Sequence, residues 1–236
     1  MAANGPRTVA AILVAAGSGQ RLGADVPKAF VPVAGRTLLE HAAARFTASP
    51  AVGPVVIVAP ATHLEAAADL TGLPVVAGGA TRQDSVACGL AALDDAVEVV
   101  LVHDVARPFV PAEVIAAVVD AVRRGADAVV PVVPVHDTIR RLGADGQLAG
   151  LVDRSSLVAI QTPQGFRRDV LAAAHAGAPP GATDDAALVE ARGGRVVAVP
   201  GADESFKVTT PADLVRAEAI SGLGSAEPRP VPGGIR

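Results

Sequence analysis

The sequence predicts an α/β protein whose mainly parallel sheet is flanked by helices. Short apolar runs rich in Val and Ile alternate with stretches in which apolar residues recur at helical spacing. Uninterrupted apolar strands separated by helices are typical of a parallel sheet that is covered on both faces. The chain has 236 residues, half of them hydrophobic, which suffices for one domain with a sizeable core. Functional residues are expected at the carboxyl ends of the strands, where such sheets bind ligands.

The predicted elements alternate along the chain. Six short apolar runs, most of them rich in β-branched residues, are predicted as strands: residues 9–15, 55–59, 74–77, 97–102, 128–133 and 195–199. Four stretches between them have apolar residues three or four positions apart and are predicted as helices: TLLEHAAARF, HLEAAADL, QDSVACGLAAL and AEVIAAVVDAV.

Residues 136–163 depart from this alternation and predict a β-hairpin or arm. The tripeptide ADG marks a turn between two short alternating runs. Apolar side chains on the arm, among them Leu148 and Leu151, indicate packing either on a second subunit, which we predict, or on the chain's own domain. We expect one domain over residues 1–221 and a disordered Pro- and Gly-rich tail over 222–236.

Composition excludes several classes of protein. The net charge is −4 and no basic run interleaves with aromatics, which argues against a nucleic-acid binder. The run TVAAILVAAG is too short to span a bilayer. A single cysteine, Cys88, cannot form an internal disulfide, and its apolar helical surroundings predict a buried packing residue. We therefore expect a cytoplasmic protein without a membrane partner.

The stretch AILVAAGSGQRLGADVPKAF, residues 11–30, has the strongest local signal. Its glycine spacing places Leu22 where a dinucleotide fingerprint needs its third glycine, and its lysine lies too far on for a P-loop. The small residues still let backbone amides approach an anion, and two cations follow within reach of a polyphosphate. These residues are Ala15, Ala16, Gly17, Gly19, Arg21 and Lys28. Taken alone, the stretch is better explained as a turn with two solvated cations, so the phosphate interpretation depends on the other motifs.

Other motifs at or after predicted strand ends support a ligand site. GGATRQDS contains Gly79 and Ser85, which permit close backbone approach and a hydrogen bond to a base or ribose. VHDVARP contains Asp104 and Arg107, of which Asp104 is a candidate for Mg²⁺ or substrate hydroxyls; either motif could otherwise serve as a turn or helix cap. His103 is predicted to be a packed, hydrogen-bonded residue. Further candidates are Thr138, Arg154, Thr162, Thr183, Asp184, Asp185 and Lys207.

The ordered set of motifs resembles the bacterial 2-C-methyl-D-erythritol 4-phosphate cytidylyltransferases of the non-mevalonate isoprenoid pathway. The resemblance runs from about residue 9 to 220 and rests on these motifs: AAGSGQRLGADVPKAF, GGATRQDSV, VHDVARPF, DTI, the DR of VDRSS, QTPQGF, TDDAALVE and FKVTTPADL. It implies a Rossmann-like nucleotidyltransferase fold with a protruding β-arm. It also implies cytidylyl transfer from CTP to 2-C-methyl-D-erythritol 4-phosphate, which gives 4-diphosphocytidyl-2-C-methyl-D-erythritol and pyrophosphate.

The resemblance implies a role for each matching position. Catalysis is assigned to Arg21 and Lys28, which bind the triphosphate and stabilise the transition state, and to Lys207, which positions the incoming phosphate. Nucleotide binding is assigned to Ala15, Ala16, Gly17, Gly19, Gly79, Ser85 and Asp104. Binding of the polyol phosphate is assigned to Asp104, Arg107, Thr138, Arg154, Thr162 and Lys207, with Arg154 and Thr162 reaching the neighbouring subunit's site in a homodimer.

The chemistry requires no protein nucleophile, because a phosphate monoester is already anionic at neutral pH. Mg²⁺ or another divalent cation is expected as cofactor, held mainly by the CTP phosphates, with Asp104 as the candidate protein ligand. Three alternatives remain open at this point: a ribitol 5-phosphate or other polyol phosphate cytidylyltransferase, a sugar-phosphate enzyme that uses UTP or ATP, and a non-catalytic nucleotide-binding regulator.

Overall fold

A computed structural model of the chain describes residues 8–16, 26–178 and 184–223. Its strands are β1 (Thr8–Val14), β2 (Pro32–Val33), β3 (Arg36–Thr37), β4 (Val55–Ala59), β5 (Val75–Ala77), β6 (Val97–Asp104), β7 (Ala128–Pro134), β8 (Ile139–Leu142), β9 (Leu148–Val152), β10 (Val158–Ile160), β11 (Gln164–Arg167) and β12 (Val196–Pro200). Its α-helices are α1 (Leu38–Thr47), α2 (Leu64–Thr71), α3 (Arg82–Ala91), α4 (Ala112–Arg123), α5 (Arg168–His175), α6 (Asp185–Ala191) and α7 (Pro211–Leu223). Within these ranges no helix combines the length and apolarity needed to cross a membrane.

The main sheet has eight strands and is mainly parallel. Its order is β10-β7-β11-β6-β1-β4-β5, and β12 also pairs with β7. β1 is parallel to both β4 and β6, β4 is parallel to β5, and β12 is parallel to β7. Only β10 and β11 run antiparallel to their neighbours in this sheet. The predicted fold class is therefore confirmed, and the parallel strands end at a common edge.

Both faces of the sheet are covered, because alternate residues of each strand face opposite layers. In β1, Leu13 belongs to a core shared with α1, α4 and α7, whereas Ile12 belongs to a second core shared with α3, α5 and α6. Both side chains are fully buried. This two-sided burial explains why the parallel strands are continuous apolar runs.

The six predicted strands are present, with bounds that differ by one or two residues. The apolar pattern does not predict β11, whose sequence is QGFR, because Gln164 is polar and Gly165 has no side chain. Both residues are nevertheless buried. The amide of Gln164 donates to Asp184 at 3.2 Å and accepts from the backbone of Ala186 at 3.3 Å, so its burial is satisfied by hydrogen bonds.

The range predicted as an arm divides into two parts. β8 and β9 form a separate two-stranded sheet, with Leu142, Leu148 and Leu151 exposed by 62–72%. β10, in contrast, pairs with β7 and belongs to the main sheet. The hairpin therefore carries exposed apolar side chains, while the later part of residues 136–163 returns to the domain. The predicted tail from residue 224 onward lies outside the described residues, and α7 continues to Leu223.

The prediction that Cys88 is buried is wrong, since the residue is exposed. The buried positions of α3 are Ser85, Val86, Gly89 and Leu90, so Cys88 lies outside the buried stripe. Small residues occupy that stripe because the helix packs very close to the sheet. Apolarity alone therefore assigned the wrong helix face to the core.

The close packing of α3 generates a stability prediction. A Cβ at Gly89 would lie 2.5 Å from Cγ2 of Ile12 and 2.9 Å from Cγ2 of Val58. We expect Gly89→Ala to introduce an overpacking cost of about 1–3 kcal/mol. This cost exceeds the gain in helix propensity of about 1 kcal/mol. Urea unfolding at neutral pH measures the difference.

The matched control is Gly222→Ala in α7, where no atom of the described residues outside the helix backbone lies within 4 Å of an added Cβ. This substitution should leave the free energy of unfolding unchanged or slightly raised. If Gly89→Ala were as stable as Gly222→Ala, the close approach of α3 to β1 and β4 would be contradicted.

Candidate active site

The loops after β1, β5 and β6 meet at the carboxyl edge of the sheet. The amides of Ala15, after β1, and Gly78, after β5, donate to the β4 carbonyls of Val58 and Ala59 at 2.8 Å each. On the other side of β1, its last residue Val14 is in register with Asp104, the last residue of β6. Ala15 and Ala16 therefore lie between the glycine turn and Asp104.

The glycine turn after β5 has an internal support. A Cβ at Gly78 would lie 2.7 Å from the Cβ of Ala16 and 2.8 Å from Oγ of Ser85, so these three residues are adjacent. The Ser85 hydroxyl donates to the carbonyl of Thr81 at 2.9 Å and accepts from the amide of Gly79 at 3.2 Å. The side chain of Ser85 is buried and shapes the turn. A direct contact of Ser85 with a base or ribose stays a prediction.

The predicted cationic loop is described only in part. Gly17, Gly19 and Arg21 lie outside the described residues, as does Thr183. Lys28 begins a short 3₁₀-helix that ends at Phe30. The ring of Phe30 lies 4.9 Å from that of His63, which follows β4, so this turn is packed near the carboxyl end of that strand.

An alternating chain of charges surrounds Asp104. Its Oδ1 accepts from Nε of Arg82 at 3.1 Å, and its Oδ2 accepts from Nζ of Lys207 at 2.7 Å. Nη1 of Arg82 also donates to Oδ2 of Asp185 at 2.7 Å, and Oδ1 of Asp185 lies 2.9 Å from Nε2 of His175. This series of ion pairs thus joins α3, β6, α5, α6 and the loop before α7.

Pairing decides the protonation of these groups. Burial opposes ionisation of Asp104, yet the guanidinium of Arg82 and the ammonium of Lys207 hold its pKa well below the ordinary value. Burial likewise opposes the charge of Arg82 and would lower its pKa. The carboxylates of Asp104 and Asp185 outweigh this effect and raise the pKa above its ordinary value. Asp104 is therefore an anion and Arg82 a cation throughout the physiological range.

Sequence reasoning assigned no role to Arg82 and only noted Asp185. Both stand in motifs that the sequence analysis used, GGATRQDS and TDDAALVE. An arginine in the first turn of a helix reads as a solvated surface residue, and its two partners lie 22 and 103 residues away. A pairing over such distances has no local sequence signal.

A packed and hydrogen-bonded histidine lies beneath the same strand end, as predicted. Nε2 of His103 donates to the carbonyl of Arg107 at 3.0 Å, which leaves Nδ1 to accept from the Thr162 hydroxyl at 3.1 Å. The Thr162 oxygen in turn accepts from the amide of Asp104 at 3.1 Å. Full burial lowers the pKa of His103 to about 4. Thr162 therefore supports the backbone of Asp104, and its predicted contact with a neighbouring subunit's substrate is not needed to explain its position.

Arg107 is held by backbone. Its Nη1 donates to the carbonyl of Ser205 at 2.7 Å, and its Nη2 donates to that of Ile160 at 3.1 Å. The side chain thereby connects the end of β10 with the segment that carries Lys207. Burial lowers the pKa of Arg107 below its ordinary value. A role in binding the polyol phosphate stays a prediction.

The remaining predicted residues lie at the base of the arm. Thr138 immediately precedes β8, and Arg154 follows β9 at the start of a 3₁₀-helix; both are exposed. Among the described residues, the charge chain around Asp104 includes neither of them. The assignment of Arg154 to a neighbouring subunit's site stays a prediction.

The described residues contain no cluster of three or more His, Cys, Asp or Glu that would hold a metal ion without a ligand. Both oxygens of Asp104 already contact cations. Mg²⁺ is commonly bound by one or two carboxylates together with substrate phosphates. The donor set therefore fits a metal that is held mainly by phosphates, with Asp104 contributing at most one ligand.

The neutral state of His103 generates a pH prediction. The unfolded chain takes up a proton near pH 6.5, whereas the folded protein does so only near the lowered pKa of about 4. Stability is therefore fully present above pH 6.5 and falls as the pH decreases. Between pH 7 and 5 we expect this histidine alone to reduce the free energy of unfolding by about 2 kcal/mol.

Denaturant unfolding of wild type and His103→Gln at pH 7 and pH 5 tests this expectation. The variant should lose about 2 kcal/mol less stability over this interval than wild type. His136→Gln, at an exposed position, is the control. An equal loss of stability in wild type and His103→Gln would show that His103 is not held neutral.

Comparisons with known proteins identify the family of this chain. Residues 9–222 match the family described as IspD: 2-C-methyl-D-erythritol 4-phosphate cytidylyltransferase. A relative of this name from Frankia casuarinae is 52% identical, over 90% of this chain and 80% of its own length. One from Saccharopolyspora erythraea is 51% identical, over 90% of this chain and 99% of its own. The crystal structure of the Thermus thermophilus protein of the same name is 40% identical, with a TM-score of 0.77 over 90% of this chain and 98% of its own. The chain belongs to the 2-C-methyl-D-erythritol 4-phosphate cytidylyltransferase family.

Proposed function

We propose that this chain transfers a cytidylyl group from CTP to 2-C-methyl-D-erythritol 4-phosphate, in the non-mevalonate synthesis of isoprenoid precursors. The observation that carries the proposal is the position of Lys207, whose ammonium is held by Asp104 beside the segment that starts at Ala15. This arrangement sets a cation at the edge of the sheet where we expect the triphosphate of CTP to bind. Membership in the family identifies the two substrates.

The reaction is an attack of a substrate phosphate oxygen on the α-phosphorus of CTP, with pyrophosphate as the leaving group. The attacking monoester has a second pKa of about 6, so it needs no general base at neutral pH. His103, the histidine at the end of β6, is buried and fully hydrogen-bonded and is not available as one. The barrier therefore arises from bringing two anions together, and cations and positioning lower it.

Three cations carry this task. Arg21 and Lys28 stabilise the charge that develops on the triphosphate, and Lys207 positions the phosphate of the polyol. The ion pair of Lys207 with Asp104 limits where its ammonium can lie, at 41% side-chain exposure. Asp104 is the side chain that would contribute a ligand to Mg²⁺, which would supply charge neutralisation at the CTP phosphates when bound.

We further propose a cytoplasmic homodimer that forms through the arm. The hairpin of β8 and β9 exposes Leu142, Leu148 and Leu151, which would be buried against a second subunit. Arg154, exposed at the base of the same arm, would then reach the partner's substrate. A protein whose single cysteine forms no internal disulfide is suited to a reducing compartment.

The substrate assignment is tested by incubating the protein with Mg²⁺ and CTP together with 2-C-methyl-D-erythritol 4-phosphate or ribitol 5-phosphate, and following pyrophosphate release. We expect turnover with the first polyol phosphate and little with the second. UTP and ATP should not replace CTP. A preference for ribitol 5-phosphate, or for another nucleotide, would overturn the proposal.

The roles of Lys28 and Arg21 are tested by alanine substitution. We expect Lys28→Ala and Arg21→Ala each to lower kcat by about 100-fold or more, by analogy with removal of one oxyanion donor. Steady-state kinetics with both substrates measure the effect. Arg45→Ala, on the distant end of α1, is the control and should retain wild-type kcat. Turnover close to wild type in Lys28→Ala would remove its assigned role.

The arm is tested by Leu151→Asp and Arg154→Ala. A carboxylate at Leu151, which is 72% exposed in the single chain, should leave the fold intact but convert the dimer to a monomer in sedimentation velocity. Arg154→Ala should lower activity while the dimer persists. A wild-type protein that is monomeric and fully active would contradict the shared site.

A further inference from the structure

We propose that Arg82 is a positioning residue for the transfer reaction: it holds the Asp104 carboxylate in the orientation that presents its other oxygen to Lys207. The inference rests on the proposed function, because it needs Lys207 to act on the phosphate of the substrate. The sequence motifs assign no role to Arg82, and no contact of this residue with a ligand is expected.

Local structure determines the position of the Arg82 backbone. Thr81 caps α3, and its hydroxyl and backbone form a reciprocal capping box with Asp84. Arg82 is the first residue of the helix, directly after the glycine turn, so its backbone is fixed by the cap and by that turn. The side chain is three-quarters buried and extends to the end of β6.

The guanidinium divides its donors between two carboxylates. Nε donates to Asp104 at 3.1 Å and Nη1 to Asp185 at 2.7 Å. Asp185 is 1% exposed, and its other oxygen lies 2.9 Å from Nε2 of His175, so this partner is itself immobilised. The contact with Asp185 on α6 therefore fixes the guanidinium of Arg82, and the fixed guanidinium in turn restricts the orientation of the Asp104 carboxylate.

The orientation of the Asp104 carboxylate also determines where the ammonium of Lys207 lies. One carboxylate oxygen faces Arg82 and the other faces Lys207, so rotation of the carboxylate about its Cβ–Cγ bond would move both contacts at once. Lysine is a flexible point charge, and its direction depends on its partner. Removal of Arg82 frees this rotation and lets the carboxylate turn toward Lys207 with both oxygens. The ammonium would then be drawn from the substrate phosphate.

A purely structural role of Arg82 makes a different prediction, and a second substitution separates the two. Arg82→Gln leaves Asp185 as a buried carboxylate without its guanidinium, which destabilises the fold. The double variant Arg82→Gln/Asp185→Asn removes that buried charge and should recover thermal stability. If Arg82 only stabilises the fold, the double variant recovers kcat as well; if it positions Asp104, kcat stays low.

A matched control exists at the opposite edge of the sheet. Arg167 also bridges two aspartates, Asp127 at 3.6 Å and Asp169 at 2.6 Å. It is in register with Val99, near the start of β6, and so lies far from Asp104. Arg167→Gln removes two ionic contacts that are more exposed than those of Arg82, and it should leave kcat and both KM values at wild-type levels.

The experiment measures thermal unfolding together with kcat and KM for CTP and for 2-C-methyl-D-erythritol 4-phosphate. In the double variant we expect wild-type stability, a kcat about 10- to 100-fold lower, and KM values within about threefold of wild type. Arg82→Lys, which keeps the charge but offers a single ammonium for two carboxylates, should show the same loss of kcat. Arg167→Gln should match wild type.

Two results would overturn the inference. Wild-type kcat in either the double variant or Arg82→Lys would show that Arg82 only stabilises the fold. A rise in KM for CTP with kcat unchanged would show that it binds the nucleotide instead. A wild-type protein without turnover of these two substrates would refute the proposed function itself. The assay of the wild type therefore distinguishes that failure from a failure of the inference about Arg82, which depends on the variants.

Discussion

The carboxyl edge of this protein depends on one largely buried anion, the carboxylate of Asp104, whose side chain is 13% exposed. β6 ends at this residue, and register with β1 sets it beside the segment that begins at Ala15. A buried carboxylate is stable as an anion only with cationic partners, and here they come from α3 and from the loop before α7. Charge pairing at one point thereby sets the relative positions of segments that are distant in the chain.

The side chains of His103 and Thr162, which lie below this anion, are hydrogen-bonded without a further charge. Thr162 accepts from the Asp104 amide and donates to His103, which donates in turn to a backbone carbonyl. Because His103 stays neutral, it adds no positive charge that would compete with Lys207 for the carboxylate. Lys207, at 41% side-chain exposure, therefore pairs with Asp104 above a neutral support. This arrangement suits a reaction in which positioning and charge neutralisation supply the rate.

Local patterns predicted much of this protein, and the failures share a cause. The six apolar strands and the hairpin at residues 139–152 follow from periodicities that one segment carries by itself. Cys88 was assigned to the wrong side of α3, because the helix packs on the sheet through the small residues Ser85 and Gly89. β11 went unpredicted because Gln164 is buried through hydrogen bonds with another segment. Each error concerns a residue whose environment is supplied by a distant part of the chain.

The sequence by itself determined the fold class, the family and the motifs from which the site is built, because apolar periodicity and motif order are properties of the linear chain. Only the tertiary structure decided which of these residues touch. It made Thr162 a support for Asp104, turned Arg107 toward two backbone carbonyls, and revealed Arg82 between Asp104 and Asp185. The physical reason is that ion pairs and hydrogen bonds depend on distances of about 3 Å, which spacing along the chain does not encode.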